Sequence, residues 1–130
     1  MIKKIQHLMN NLNEIESEKY ISLKTYRKNN QPVRTPVWFI IKNDLIYVVT
    51  RDQTGKVKRL RNNQQVKIAI CTIRGKVIGK WISGIAKILT EEETQDAVKW
   101  RDKKYGFMAK IAKFLSKNKG DLLAFSIKID

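Results

Sequence analysis

The spacing of apolar positions changes several times along the chain, and each change predicts an element. Ile2, Ile5, Leu8 or Met9, Leu12 and Ile15 recur at helical spacing, which predicts an amphipathic helix over residues 2–16 that packs on the body. From Lys19 the period falls to two. Ile21, Leu23 and Thr25 alternate with Tyr20, Ser22, Lys24 and Tyr26, as in a strand with one buried face. After a polar turn over residues 27–31, residues 33–42 and 45–50 are rich in β-branched and aromatic side chains. They predict a hairpin about Asn43 and Asp44, which tolerate positive φ.

A short helix near residues 56–62 separates this hairpin from two more strand-like stretches, 66–73 and 77–89, with Arg74, Gly75 and Lys76 as their turn. Thr90 and Glu93 have the spacing of a capping box. Glu91 to Glu93 suit the positive end of a helix dipole, and Lys99, Arg101, Lys103 and Lys104 its negative end, so a helix is expected over 91–104. Phe107, Met108, Ile111, Ala112 and Leu115 form the apolar stripe of a second short helix, with Lys110, Lys113 and Lys117 off that stripe. Gly120 and Asp121 end it. Alternation over Leu123, Phe125, Ile127 and Ile129 closes the chain on a sixth strand. Six antiparallel strands without a βαβ repeat predict a mainly β protein, a small barrel with helices at its ends. The length of 130 residues suits a single domain over 1–130.

Composition adds a partner class. With 42% hydrophobic residues and two prolines the chain is globular in character, and 27 Lys and Arg against 12 Asp and Glu give a net charge of +15. Such a field draws in nucleic acid, anionic surfaces and phosphorylated small molecules alike. Cys71 and His7 are each the sole residue of their type, so neither a disulfide framework nor an ordinary zinc site can be built, and no metal is expected. The first 15 residues lack a continuous apolar run, which fits neither a signal peptide nor a membrane span, and a cytoplasmic location is expected.

Candidate chemistry concentrates in residues 50–61, TRDQTGKVKRLR. A strand runs through Thr50 into a loop containing Thr54 and Gly55, and a helix begins at Lys56. Free backbone N–H groups at a helix start, beside a hydroxyl and a cation, make an anion site. Lys56 and Arg59 share one flank of that helix, Val57 and Leu60 form its inward stripe, and Lys58 and Arg61 lie on the other flank. Taken alone, KVKRLR reads more readily as a solvated basic face. Neither GxxxxGK[ST] nor GxGxxG occurs, which argues against a P-loop nucleotide triphosphatase or a Rossmann enzyme.

The stretch from Tyr20 to Gly106 resembles the pyridoxamine phosphate oxidase-like split barrels, in particular their branch of deazaflavin (coenzyme F420) dependent oxidoreductases. The resemblance is carried by TPVWF at residues 35–39, T…GKVKRLR at 50–61, CTIRGKVIG at 71–79, GIA at 84–86 and KYG at 104–106. It implies a six-stranded antiparallel split β-barrel that forms a homodimer, with a cofactor groove at the interface. It also implies that Thr50, Thr54 and Lys56, helped by Arg59 and flanked by Val49, hold the cofactor phosphate, and that Thr35, Pro36, Val37 and Trp38 lie along its ring. The oxidase proper has an arginine where Thr35 aligns, a departure that favours the deazaflavin branch. Coenzyme F420 is therefore the expected cofactor and FMN the second choice. The deazaflavin's phosphate and glutamate tail also match a surplus of positive charge.

The function so implied is hydride transfer between that cofactor and a small organic substrate. The cofactor performs the chemistry, so no catalytic side chain is assigned. Cys71 and Trp100 read as packing residues, and so does Trp81 unless it walls the groove. Two other readings compete: a basic β-barrel that binds nucleic acid, with Tyr20, Tyr26, Trp38 and Tyr47 as stacking faces, and a flavin or deazaflavin binder without turnover. The absence of an RNP or KH signature speaks against the first. The partners expected are substrate and a second copy of the chain, with neither membrane nor nucleic acid.

Overall fold

The computed structural model describes Leu12 and residues 15–130. The helix expected over 2–16 therefore lies outside the described residues except at Leu12 and Ile15, both helical, and Glu16, which is in a turn. Leu12 is buried in the core and Ile15 packs against it.

Seven strands form one antiparallel sheet: β1 (Ile21–Tyr26), β2 (Pro32–Val37), β3 (Ile40–Lys42), β4 (Leu45–Arg51), β5 (Gln65–Ile70), β6 (Ile82–Ile88) and β7 (Leu122–Ile129). Their order is β2-β1-β5-β6-β7-β4-β3, so β2 and β3 are opposite edges of the sheet. Yet only Trp38 and Phe39 connect those edges. Two residues span at most about 11 Å between the flanking Cα atoms, so the sheet must curl until its edges almost meet. The result is a split barrel, as the sequence reading anticipated.

The count of seven, where six strands were expected, has a local cause. Residues 33–42 read as one strand, but at Phe39 the ladder partner is a side chain. The Phe39 N–H donates to the Tyr105 hydroxyl at 3.0 Å, and the Phe39 carbonyl accepts from Lys104 Nζ at 2.9 Å. The strand ends on one edge and restarts on the other. The stretch 77–89 is also shorter than expected. The Ile78 and Gly79 N–H groups both reach the Ile70 carbonyl, at 2.9 and 3.3 Å, and two residues facing one is a bulge that ends regular pairing. An isolated bridge between Cys71 and Val77 is all that continues the β5–β6 hairpin, and β6 proper begins at Ile82.

Asn43 and Asp44 turn the β3–β4 hairpin at φ of 52° and 64°, as their side chains allow. Inward alternation places Ile21, Leu23, Phe39, Ile46, Val48, Ile68, Phe125 and Ile127 in the barrel core. Each such side chain contributes about 1.5–3 kcal/mol by burial. At Gly84 a Cβ would meet Ile127 Cγ2 and the Lys128 carbonyl oxygen at 2.8 Å, so only glycine lets β6 lie this close to β7.

Helix α1 (Gly55–Asn62) crosses from β4 to β5 and plugs the barrel with Val57 and Leu60. Helix α2 (Glu91–Tyr105) begins with the expected capping box, in which Thr90 Oγ1 accepts from the Glu93 N–H at 3.2 Å and Glu93 Oε1 from the Thr90 N–H at 3.1 Å. It docks on β7 through Thr94, whose hydroxyl accepts from the Ala124 N–H at 3.1 Å. Helix α3 (Phe107–Leu115) forms where the second short helix was expected, with its apolar stripe facing outward. The small Ala109 is its buried residue, while Phe107, Met108, Ile111, Phe114 and Leu115 are exposed. Among the described residues, no helix is long and apolar enough to cross a membrane.

Candidate functional site

Lys56 folds back from the first turn of α1 to donate its ammonium to Thr50 Oγ1 at 3.2 Å. The contact uses a lone pair of the Thr50 hydroxyl and leaves its proton free for an anion. Thr54 stands at the N-cap of α1 but does not cap it. Its hydroxyl donates instead to the Arg51 carbonyl at 3.0 Å. The first backbone N–H groups of α1 therefore lack a side-chain cap, and no acidic residue occupies the first turn.

Arg59 completes the positive cluster from above. Its Nε donates to the buried Thr25 hydroxyl at 2.6 Å, which fixes the guanidinium against β1. A Cβ on Gly55 would stand 2.8 Å from Arg59 Nη1, so the arginine lies directly over the helix start and glycine makes room for it. Burial and the neighbouring Arg59 hold the Lys56 ammonium below the usual lysine value. Burial and Arg27 likewise lower Arg59. Among the described residues no carboxylate forms an ion pair with either cation; the pair present is Arg101 with Asp102 at 3.1 Å. Two partly dehydrated cations that repel one another, beside uncapped N–H groups, form a donor set suited to a phosphate.

A cavity of about 310 Å³ opens beside this cluster. Pro36, Val37, Trp38, Val49, Thr50, Thr54 and Lys56 line it, which brings together seven of the residues singled out from sequence. Thr35 and Arg59 do not line it. Thr35 pairs with Leu23 inside the β1–β2 ladder, and Arg59 is turned toward Thr25. Lys58 and Arg61 are exposed on the opposite flank of α1.

The cavity also takes in Tyr20, read from sequence only as a possible stacking face, and residues that sequence reasoning missed: Arg51, Arg101, Ser116 and Lys119. Arg51 is a structural clamp. Its guanidinium donates to Ser116 Oγ at 3.2 Å and to the carbonyls of Gly120 at 3.1 Å and Lys113 at 2.9 Å, tying β4 to the segment after α3. No periodicity links positions 50 or more apart, so these contacts had no signal in one sequence. The KYG match did mark Lys104 and Tyr105, but without a role. Their role is to bind the Phe39 backbone at the barrel seam, where Tyr105 also donates to the Lys19 carbonyl at 2.8 Å.

A larger groove of about 1030 Å³ adjoins the first cavity and shares Tyr20 and Trp38 with it. Both signs of charge meet there. Glu16 and Glu18 line it together with Lys19, Lys42, Lys103 and Lys104, and with the apolar Ile40 and Trp100. Cys71 lines it as well, and burial pushes its thiol up, in keeping with a packing role. Among the described residues no cluster of three or more His, Cys, Asp or Glu is placed to hold a metal ion.

Residues 10–130 match the family described as pyridoxamine 5'-phosphate oxidase. The chain belongs to that family. Its split barrel is shared with solved structures at low identity: HutZ, a heme storage protein from Vibrio cholerae (16% identity over 95% of this chain and 90% of that one, TM-score 0.70), an F420 reductase (15%, 92% of each chain, TM-score 0.67), and an FAD-binding protein from Mesorhizobium loti (15%, 94% and 87%, TM-score 0.64). At these identities the likeness is one of fold, and the names describe those proteins. Comparison with curated proteins finds no match.

Proposed function

We propose that this member of the pyridoxamine 5'-phosphate oxidase family is an oxidoreductase that binds a phosphate-bearing deazaflavin, coenzyme F420, in preference to FMN. The observation that carries the reading is the Lys56–Thr50 contact at the uncapped start of α1, beneath Arg59 and without a carboxylate partner. Lys56 and Thr50 supply the phosphate donors, Arg59 adds charge from its anchor on Thr25, and Thr54 shapes the loop. Pro36, Val37, Trp38 and Val49, which line the cavity, would hold the ring, and Thr35 keeps the β2 edge in register.

Lys119 lines the same cavity and adds positive charge beyond the phosphate cluster, which suits an acidic tail. A cavity of about 310 Å³ is at the small end for a cofactor of this size. That favours a homodimer in which a second copy supplies the remaining wall. When bound, the cofactor supplies the hydride chemistry. The chain's part is to orient it and, through the adjoining groove, to offer a small organic substrate access beside Trp38.

The test is a fluorescence titration of the purified protein with coenzyme F420 and with FMN, repeated with Lys56→Ala. Tighter binding of F420, and a loss of about tenfold or more on removing a charged phosphate contact, is the expected result. Equal, weak affinity for both, untouched by the substitution, would sink the reading.

A further inference from the structure

We propose that the outward face of α3 is a docking surface for an anionic lipid bilayer. The helix is built the wrong way round for a packed surface helix. Its small residues Ala109 and Ala112 are turned toward the body, and its bulky ones point away: Phe107 is 74% exposed, Phe114 66% and Leu115 72%. With Met108 and Ile111 these fall at positions i, i+1, i+4, i+7 and i+8, a single stripe along one face. Exposed Ile73 and Ile78 border the same groove as Met108 and widen the apolar surface. A contiguous patch of this kind marks an interaction site.

Charge identifies the occupant. Lys110, Lys113 and Lys117 flank the stripe, and the Lys117 ammonium sits 4.5 Å from the centre of the Phe114 ring. Residues 103–120 contain six lysines and no carboxylate. Phe and Leu on one face with Lys beside them is the pattern of a helix that lies in the headgroup plane, the apolar side chains entering the acyl boundary while the ammonium groups meet lipid phosphates. A second copy fits less well. A two-fold contact through α3 would bring the same lysines of both copies together around the stripe, with no acid in the segment to offset them.

Co-sedimentation with vesicles of phosphatidylcholine containing about 30% phosphatidylglycerol, against phosphatidylcholine alone, tests the proposal. The full chain should bind the anionic vesicles and leave the neutral ones in the supernatant, and about 0.5 M salt should release it. Phe114→Gln with Leu115→Gln, and separately Lys110→Gln with Lys113→Gln, should each weaken partitioning about tenfold. All four positions are exposed, and unchanged circular dichroism would exclude misfolding as the cause. No binding at low salt, or equal binding by both variants, overturns the proposal. So does a self-association without lipid, by sedimentation velocity, that the Phe114→Gln, Leu115→Gln pair abolishes, since the face then belongs to a second copy.

Discussion

Trp38 lies flat on Tyr105, with ring centroids 4.3 Å apart and planes 8° from parallel. The stack joins the linker between the two sheet edges to the last turn of α2. Just beyond it the Tyr105 hydroxyl takes the Phe39 N–H at 3.0 Å and donates to the Lys19 carbonyl at 2.8 Å. One side chain thus fastens both sides of the barrel seam.

Tyr105→Phe keeps the stacked ring and deletes the hydroxyl. The Phe39 N–H, on a fully buried residue, then has no partner, and leaving a buried donor unsatisfied costs about 1–3 kcal/mol. Chemical denaturation should show this loss. Hydrogen exchange should show faster exchange at Phe39 and its neighbours than in the β5–β6–β7 centre of the sheet.

Arg51→Met removes the clamp between β4 and residues 113–120 while keeping most of the aliphatic stem. Three hydrogen bonds from one guanidinium disappear, and the expected cost is about 1.5–3 kcal/mol. Limited proteolysis should cut first within residues 113–121. Cleavage there at the wild-type rate would show that Arg51 does not hold the segment.

Lys104 gives a pH dependence. Burial lowers its ammonium to about 8, against the opposing pull of Glu16 and Glu18. A lysine with a folded value below its unfolded one, about 10.4, binds fewer protons when folded across that interval. Its charge therefore opposes folding below pH 8, and the opposition fades as the pH rises toward the unfolded value. Relative to Lys104→Met, the wild-type protein should gain stability between pH 8 and 10, by at most about 1.4 kcal/mol per pH unit. Tyr105 acts in the opposite sense. Burial raises it to about 12, so its contribution falls only above pH 10. A flat difference between the two proteins from pH 8 to 10 would refute the assignment.

Local chemistry was what the sequence revealed best. The capping box at Thr90 and Glu93, the positive-φ pair Asn43 and Asp44, and the flanks of α1 each depend on residues within a few positions of one another, and each appears as expected. The split of residues 33–42 at Phe39 did not show, because its cause, Tyr105, lies 66 positions away. The outward stripe of α3 was hidden for another reason. Periodicity fixes which residues share a face, and not which way that face turns. At the candidate site, the grouping of Thr50, Thr54 and Lys56 was legible as a strand-to-helix junction. Arg51 as a clamp and the Thr25 anchor of Arg59 were not, since both are contacts across the fold.

The β2 edge has a further consequence. Pro32 and Pro36 share the parity of Arg34 along this strand, and proline in an edge strand has no N–H to offer outward. A free edge ordinarily invites a strand from another molecule, the first step toward fibrils. Here such a strand would find carbonyls but scarcely a donor, on an edge that also carries the charge of Arg34. The sheet can therefore keep an unpaired edge at β2 without becoming a template for polymerisation.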